Sequence, residues 1–398
     1  MSGKTRTNLL SVGLCLLVVA LFDLAAYPLL PPGLAARFHP YRCPACVPPP
    51  AVPGGGTALH DYYVAHEERG FDIAPDRRGL VHYVDGTFYP VWSNALGCFD
   101  AEPRIGDGYV YLAGDSFAWG FTPFEDKLGT VLERRLGLPV VKCGVAGTGQ
   151  LHQLSKLKEV IAALGRKPLL IVNTYFENDV ADDLAYPSNT VVGGWTVAKM
   201  HLVERDGRYV VRPRSPAEIE AAADVVPAVG PLDGLWYALA RYSLSFGIAR
   251  GLLARVQEGP GGREGTGAGG LKRIYQPGLW QRDGRFWYAD SPYAARNRTG
   301  LSEMKAYADA LGVPLFLLLI PPKGHATEPH YYDELKAALR AMGIGFADAA
   351  EHFAQKGYRW WDLYWPRDAH LAPNGNRVVG DFLAERVGPL LHQSDGRR

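Results

Sequence analysis

The chain has almost no excess of charge of either sign: 42 Lys and Arg stand against 41 Asp and Glu, a net of +1. That balance removes the usual reason to expect a nucleic acid as partner. Cysteine is scarce, at five in 398 residues. Cys43-Pro44-Ala45-Cys46 has no second such pair to complete a zinc site, so no metal site is expected. A local disulfide is the plainer expectation for that pair, and Cys143 is expected in the core. No internal repeat is present, which excludes a repeat architecture. What remains is 47% apolar and 21% charged, the composition of a globular protein. The length allows one large or two ordinary domains.

Apolar residues concentrate at the N-terminus. Lys4 and Arg6 precede an apolar run from Leu9 to Phe22, which Asp23 interrupts before Leu24 to Leu30 resume it. The stretch from Asn8 to Leu30 is about long enough to span a bilayer, and its basic flank places the body of the chain outside the cytoplasm. Residues 1–30 are therefore expected to be a transmembrane anchor, with the body of the chain periplasmic or extracellular. A cleaved signal peptide and a secreted body is the alternative. Cys15 lacks the small residue before it that a lipoprotein signal needs. Residues 31–80 read as a stalk, being rich in Pro, Gly and Ala from Pro31 to Gly56, with Pro48-Pro49-Pro50 and Gly54-Gly55-Gly56.

From residue 81 to 392 the pattern is that of one α/β domain. Residues from about 80 to 100 look like short strands and turns. Buried strands are expected at Tyr109–Ala113, Val140–Val145, Leu169–Tyr175 and Pro314–Ile320, with a weaker one at Gly345–Ala349. Helical spacings separate them at Lys127–Leu136, Leu151–Leu164, Leu301–Leu311, Tyr332–Met342 and Asn374–Leu391. That alternation predicts a parallel sheet covered on both faces. Residues 184–300 break the rhythm and carry a glycine-rich stretch from Gly259 to Gly270; they read as an insertion or lid.

Four blocks fall at expected C-terminal strand ends or in late loops, which a parallel sheet brings to one face. They are Gly114-Asp115-Ser116-Phe117, Cys143 to Gln150, Phe176-Glu177-Asn178-Asp179, and Asp368-Ala369-His370. Taken singly, each is an ordinary turn or helix cap. Together they supply a nucleophile, a base and a charge site. Ser116 needs a base to attack, and His370 is the candidate. Asp368, nearest in sequence, is the candidate acid that orients the imidazole, with Asp362 in reserve and a Ser-His dyad as the alternative. The backbone N–H groups of Ser116 and Gly147 and the amide of Asn178 are candidates for an oxyanion hole.

These blocks resemble those of the SGNH (GDSL-type) hydrolases, whose Ser, Gly, Asn and His match Ser116, Gly147, Asn178 and His370. Asn94-Ala95-Leu96-Gly97-Cys98-Phe99-Asp100 is similar to a lead-in found in membrane-anchored bacterial members. The resemblance covers about 94–183 and 301–392. It implies a flavodoxin-like three-layer sandwich with a five-stranded parallel sheet. It also implies a serine esterase working through an acyl-enzyme, without metal or cofactor. Two positions depart from the family. Arg367 stands where the acid is usual, and Phe176 replaces the glycine of the third block.

Trp360, Trp361, Tyr364 and Trp365 crowd ahead of His370, and the insertion adds Trp280 and Trp287. Aromatic faces beside a polar site suit sugar rings, and they are equally good core material. The expected substrate is an acylated small molecule or glycan. The expected activity is an esterase or deacetylase; the alternatives are an O-acyltransferase and a non-catalytic polysaccharide-binding protein.

Overall fold

A computed structural model of the chain describes residues 3–26, 29, 59, 61–85, 87–205, 208–223, 243, 245, 276–366 and 368–395. Its centre is a parallel sheet built from β1 (Val110–Gly114), β2 (Val140–Lys142), β3 (Leu170–Tyr175), β4 (Leu315–Leu319) and β5 (Gly345–Asp348). The strands lie side by side in the order β2-β1-β3-β4-β5, every neighbour parallel. This is the flavodoxin-like order, and it reverses direction beside β1. Strands β1 to β4 are buried along their whole length. Both faces are covered, so they read as unbroken apolar runs and not as alternating ones. β2 ends three residues before its expected end. Its hydrogen bonds to β1 nevertheless continue, from Cys143 N–H to the Leu112 carbonyl (3.1 Å) and from Val145 N–H to the Gly114 carbonyl (3.0 Å).

The covering helices are α1 (Ser116–Trp119), α2 (Leu128–Leu136), α3 (Gln150–Leu164), α4 (Asp179–Leu184), α5 (Ala295–Leu311), α6 (Asp333–Ala341), α7 (Ala349–Lys356), α8 (Trp360–Leu363) and α9 (Pro373–Asp395). α3 and α5 bury Leu154, Leu157, Leu301 and Met304 with one apolar cluster. α2 and α9 bury Leu128, Leu132, Val379 and Leu383 with a second. Each such side chain, fully buried, contributes about 1.5–3 kcal/mol relative to exposure. α5 begins at Ala295, inside the stretch assigned to the insertion and six residues before the helix expected from sequence.

The expected stalk is shorter than the sequence reading made it. Residues 31–58, with Cys43 and Cys46, lie outside the described residues. From residue 61 onward the chain packs onto the domain. Two antiparallel hairpins, Tyr63–His66 with Gly70–Ile73 and Leu80–Val84 with Thr87–Val91, form an extra layer. Tyr62, Phe71, Tyr89, Phe99, Trp119 and Trp365 make its core. Arg69, Asp72 and Lys156 are buried beneath the first hairpin, where unpaired charges would be costly. They are paired: Lys156 lies 2.7 Å from Asp72, and Arg69 bonds both Asp72 and Glu159.

His152 belongs to the same layer and carries a pH prediction. Its Nε2 lies 2.8 Å from the Phe71 carbonyl, so that nitrogen holds the proton of a neutral ring. Burial pushes its pKa down from 6.5 to about 4, against the opposing pull of Asp72. The unfolded chain therefore binds the extra proton first, and stability contributed by the neutral ring is lost as pH falls from about 6.5 to about 4, by about 3 kcal/mol. Asp183, pushed up to about 7 by burial, acts in the opposite sense. The His152→Gln variant isolates the term: its stability, measured by urea unfolding, should fall less than that of the unaltered protein between pH 7 and pH 4.5. Parallel curves would contradict the assignment.

A disulfide joins two cysteines that the sequence reading did not pair, while the expected Cys43–Cys46 pair lies outside the described residues. Cys143, expected as a core thiol, is bonded to Cys98. The bond ties the segment ahead of β1 to the end of β2 and closes a 45-residue separation. Chain entropy alone predicts about 4 kcal/mol from a loop of that size. Replacing both cysteines with alanine should lower the urea-unfolding free energy by about 2–5 kcal/mol, and an unchanged midpoint would contradict this role.

The N-terminal segment is helical over Gly3–Ala26. Among the described residues no helix is long and apolar enough to cross a membrane. Asp23 interrupts the apolar run and accepts hydrogen bonds from the Ser243 hydroxyl (2.5 Å) and from Ser245 N–H (2.9 Å) and hydroxyl (2.6 Å). The expectation of a transmembrane helix thus finds no support in the fold. In the insertion, hairpins Asn189–Val192 with Trp195–Ala198 and Met200–Arg205 with Arg208–Pro213 precede a helix at Pro216–Ala223. The glycine-rich stretch lies outside the described residues. A last hairpin, Gln281–Arg282 with Arg285–Phe286, returns to the sheet. There Gln281 Nε2 donates to Glu177 Oε2 at 3.2 Å, so this hairpin sits at the C-terminal end of β3.

Candidate active site

β1 ends in a turn that only its own residues allow. Gly114 has φ +145°, and a Cβ there would lie 1.9 Å from Thr174 Oγ1 of β3, so a larger residue cannot occupy it. Asp115 then caps α1 by accepting the Phe117 N–H at 2.9 Å. Its carboxyl is fully buried, which pushes its pKa up; hydrogen bonds from Phe117, Ser116 and Asn178 pull the other way. Ser116 follows at the first position of α1 and at the switch in strand order, where open α/β sheets collect ligands.

The late loop between Tyr364 and Leu371 reaches the same place from α8. Its two ends are joined as an isolated β-bridge, and Trp365 N–H donates to the His370 carbonyl at 3.0 Å. His370 Nε2 lies 2.8 Å from Ser116 Oγ. Its Nδ1 lies 2.6 Å from Asp368 Oδ1, which also accepts the His370 backbone N–H at 2.8 Å. Burial raises the Asp368 carboxyl, but the His370 hydrogen bonds and charge outweigh it and hold it below the ordinary carboxylate range. An ionised Asp368 can only accept, so Nδ1 carries the imidazole proton and Nε2 faces Ser116 with its lone pair. That is the protonation state a general base needs.

Asp362, the reserve acid, has a different job. Its carboxylate accepts Arg359 N–H at 2.8 Å and closes the first turn of α8. The other expected residues lie in the loops after β2 and β3. Asn178, in the turn after β3, hydrogen-bonds Asp115 of the nucleophile turn and donates to Asp182 Oδ2 at 3.1 Å. Gly147 lies in the loop after β2 with φ +74°. That loop packs directly under α1: a Cβ on Gly144 would lie 2.3 Å from Trp119 N. The lead-in from Asn94 to Asp100 is framework. Asn94 Oδ1 accepts Leu96 and Cys98 N–H, and Asp100 pairs with Lys142 at 2.8 Å.

Aromatic residues frame the base, and two of them, Phe121 and His82, were missed in the sequence. Phe121, just past α1, stacks flat on the His370 ring, with centroids 3.7 Å apart and planes at 5°. Phe117 approaches the ring from α1 at 5.0 Å, and Phe176 packs on Phe117 at 4.4 Å. His82, from the N-terminal layer, sets its ring edge-on to Phe121 at 4.8 Å and bonds the Tyr89 hydroxyl. Nothing in their spacing marks Phe121 and His82; only the folded chain brings them to His370. Of the six aromatics expected to meet a sugar, Tyr364 and Trp365 are buried framework, the latter donating to the Phe121 carbonyl at 2.8 Å. Trp280 is also buried, while Trp287, Trp360 and Trp361 remain half-buried. Among the described residues no cluster of side chains suits a metal ion.

No family model and no curated protein sequence matches the chain. Solved structures with a distant likeness do exist. A G-D-S-L family protein from Desulfitobacterium hafniense matches at TM-score 0.35 and 12% identity, over 70% of this chain and 99% of its own. Axe2, an acetylxylan esterase from Geobacillus stearothermophilus, matches at TM-score 0.35 and 12% identity, over 71% of this chain and 95% of its own. The acetyl xylan esterase Est2A of Butyrivibrio proteoclasticus matches at TM-score 0.33 and 8% identity, over 73% and 66%. The first of these carries the G-D-S-L family's name and the other two are acetylxylan esterases. AlinE4, an SGNH-hydrolase family esterase, matches at TM-score 0.29 and 13% identity, over 73% of this chain and 98% of its own.

Proposed function

We propose that this protein is a serine esterase that removes acyl groups from an O-acylated substrate through an acyl-enzyme. The observation that carries the reading is the unbroken relay from Asp368 through His370 to Ser116, at 2.6 and 2.8 Å. In acylation, Ser116 Oγ adds to the ester carbonyl while its proton passes to His370 Nε2. Asp368 stabilises the imidazolium that results. The N–H groups of Ser116 and Gly147 are the proposed receivers of the oxyanion, joined by the Asn178 amide once one of its N–H groups is released from Asp115 or Asp182. Each donor is worth about 3–4 kcal/mol in the transition state. The alcohol leaves with the proton from His370. Water then attacks the acyl-enzyme, giving up its proton to the same nitrogen, which passes it to Ser116 Oγ as the carboxylic acid leaves.

A glycan is the proposed carrier of the acyl group. Support comes from the half-buried faces of Trp360 and Trp361 beside the loop of His370. The inserted hairpin adds a polar cleft of about 380 Å³ that includes Arg282, Trp287 and Glu334. Work outside the cytoplasm is also proposed. The Cys98–Cys143 bond favours an oxidising compartment, and the apolar N-terminal segment behind Lys4 and Arg6 suits an export signal.

Product analysis on an activated acetyl ester, with and without an O-deacetylated glycan, tests the reading. Free acetate should form equally in both reactions. Acetylated glycan accumulating at the expense of acetate would make the protein an O-acyltransferase. No ester turnover at all would leave only a binding role.

A further inference from the structure

Lys323 stands in the turn that follows β4, behind Pro321-Pro322, on an element remote in sequence from the Asp368–His370 loop. Its Nζ donates to three carbonyl oxygens of that loop: Trp365 at 2.5 Å, Pro366 at 2.7 Å and Asp368 at 3.2 Å. The same ammonium lies 4.5 Å from the centroid of the Trp360 ring, at the root of the loop. We propose that Lys323 is a positioning residue for the catalytic acid and base, a cationic hub about which the Trp365–His370 loop is folded.

The physical case starts from the loop's backbone. Its mouth is closed by the Tyr364–Leu371 bridge and the Trp365-to-His370 hydrogen bond. Those bonds fix where the loop begins and ends but not the path of its tip, where Asp368 sits. Three carbonyls converging on one point repel one another unless a cation lies between them. An ammonium suits that point, because it is compact and brings several donors on one atom. With the Asp368 carbonyl held, the residue's backbone is set and its carboxylate can meet the backbone N–H and the Nδ1 of His370. Relays of this kind tolerate little error: a misplacement of about 1 Å can cost about 100-fold in rate. Lys323 does not touch Ser116 in this arrangement, so it acts through Asp368 and His370.

The inference rests on the esterase reading for its kinetic arm only. Lys323→Met, which keeps the length of the side chain and removes the charge and the donors, should lower kcat on an activated acetyl ester by about 10- to 100-fold and leave KM within twofold. Lys323→Arg, which restores charge and some donors, should recover part of that loss. A second readout needs no turnover: the far-downfield proton NMR signal of the short His370 Nδ1–H···Asp368 bond should shift or vanish in Lys323→Met and persist in Lys323→Arg. A kcat within twofold and an unmoved signal in Lys323→Met would overturn the proposal. Should the methionine variant fail to melt cooperatively, Lys323→Gln, which retains a donor without the charge, gives the same two readouts. A signal displaced in Lys323→Met in a protein that never turns over ester would uphold Lys323 and defeat the esterase reading instead.

Discussion

Ser116→Ala is expected to lower kcat on an activated acetyl ester by about 10⁶-fold, the loss seen when a triad nucleophile is removed. The expectation follows from the site's connectivity. Ser116 Oγ is the atom His370 Nε2 faces, at 2.8 Å, and alanine leaves the base with nothing to deprotonate but water. Residual turnover would come from the oxyanion donors and substrate binding. The fold should tolerate the change, because the α1 cap is made by Asp115 and the Phe117 N–H, not by the serine side chain. A fluorophosphonate probe should label the unaltered protein and not this variant. Equal labelling of both would place the reactive group elsewhere.

Asp368→Asn carries the second large effect, about 10⁴-fold in kcat. Asp368 Oδ1 receives two donors, the His370 backbone N–H and Nδ1–H. An amide at that position offers its NH₂ as readily as its oxygen. When the NH₂ faces Nδ1, the ring must carry its proton on Nε2, and that tautomer cannot take the serine proton. Asp362→Asn is the control, since that carboxylate only caps α8. It should leave kcat within a fewfold. A loss below tenfold in Asp368→Asn would favour a Ser-His dyad, and a large loss in Asp362→Asn would contradict the geometry.

These two residues also mark the boundary of what the sequence could show. The five strands were legible because a parallel sheet buried on both faces must be built from uninterrupted apolar runs, as Val110–Gly114 and Leu315–Leu319 are. Ser116 and Asn178 were legible because they sit where those runs stop, His370 because it stands in the late loop ahead of the last helix, and Gly114 signals a turn that no other residue could make. Asp368 stood beside His370 in the chain, but choosing it over Asp362 needed the folded loop. Long-range partners left no trace. Cys98 and Cys143 are 45 residues apart, and their pairing depends on β2 lying along β1. Phe121 and Lys323 meet the loop of His370 only after the sheet has assembled. In the N-terminal layer the Leu80–Val91 hairpin falls where short strands were expected, but the Tyr63–Ile73 hairpin was hidden for a related reason. Its strands are short and two-stranded, and the charges buried under them, Arg69, Asp72 and Lys156, look in sequence like a solvated surface.

The most direct test of the central claim is mass spectrometry of the protein quenched during the first turnovers of an activated acetyl ester. Peptide mapping should find one acetyl group, on Ser116, and Ser116→Ala should carry none. Ester hydrolysis without any acetyl-Ser116, or acetyl transfer to another residue in both proteins, would contradict the assignment of Ser116 as the nucleophile.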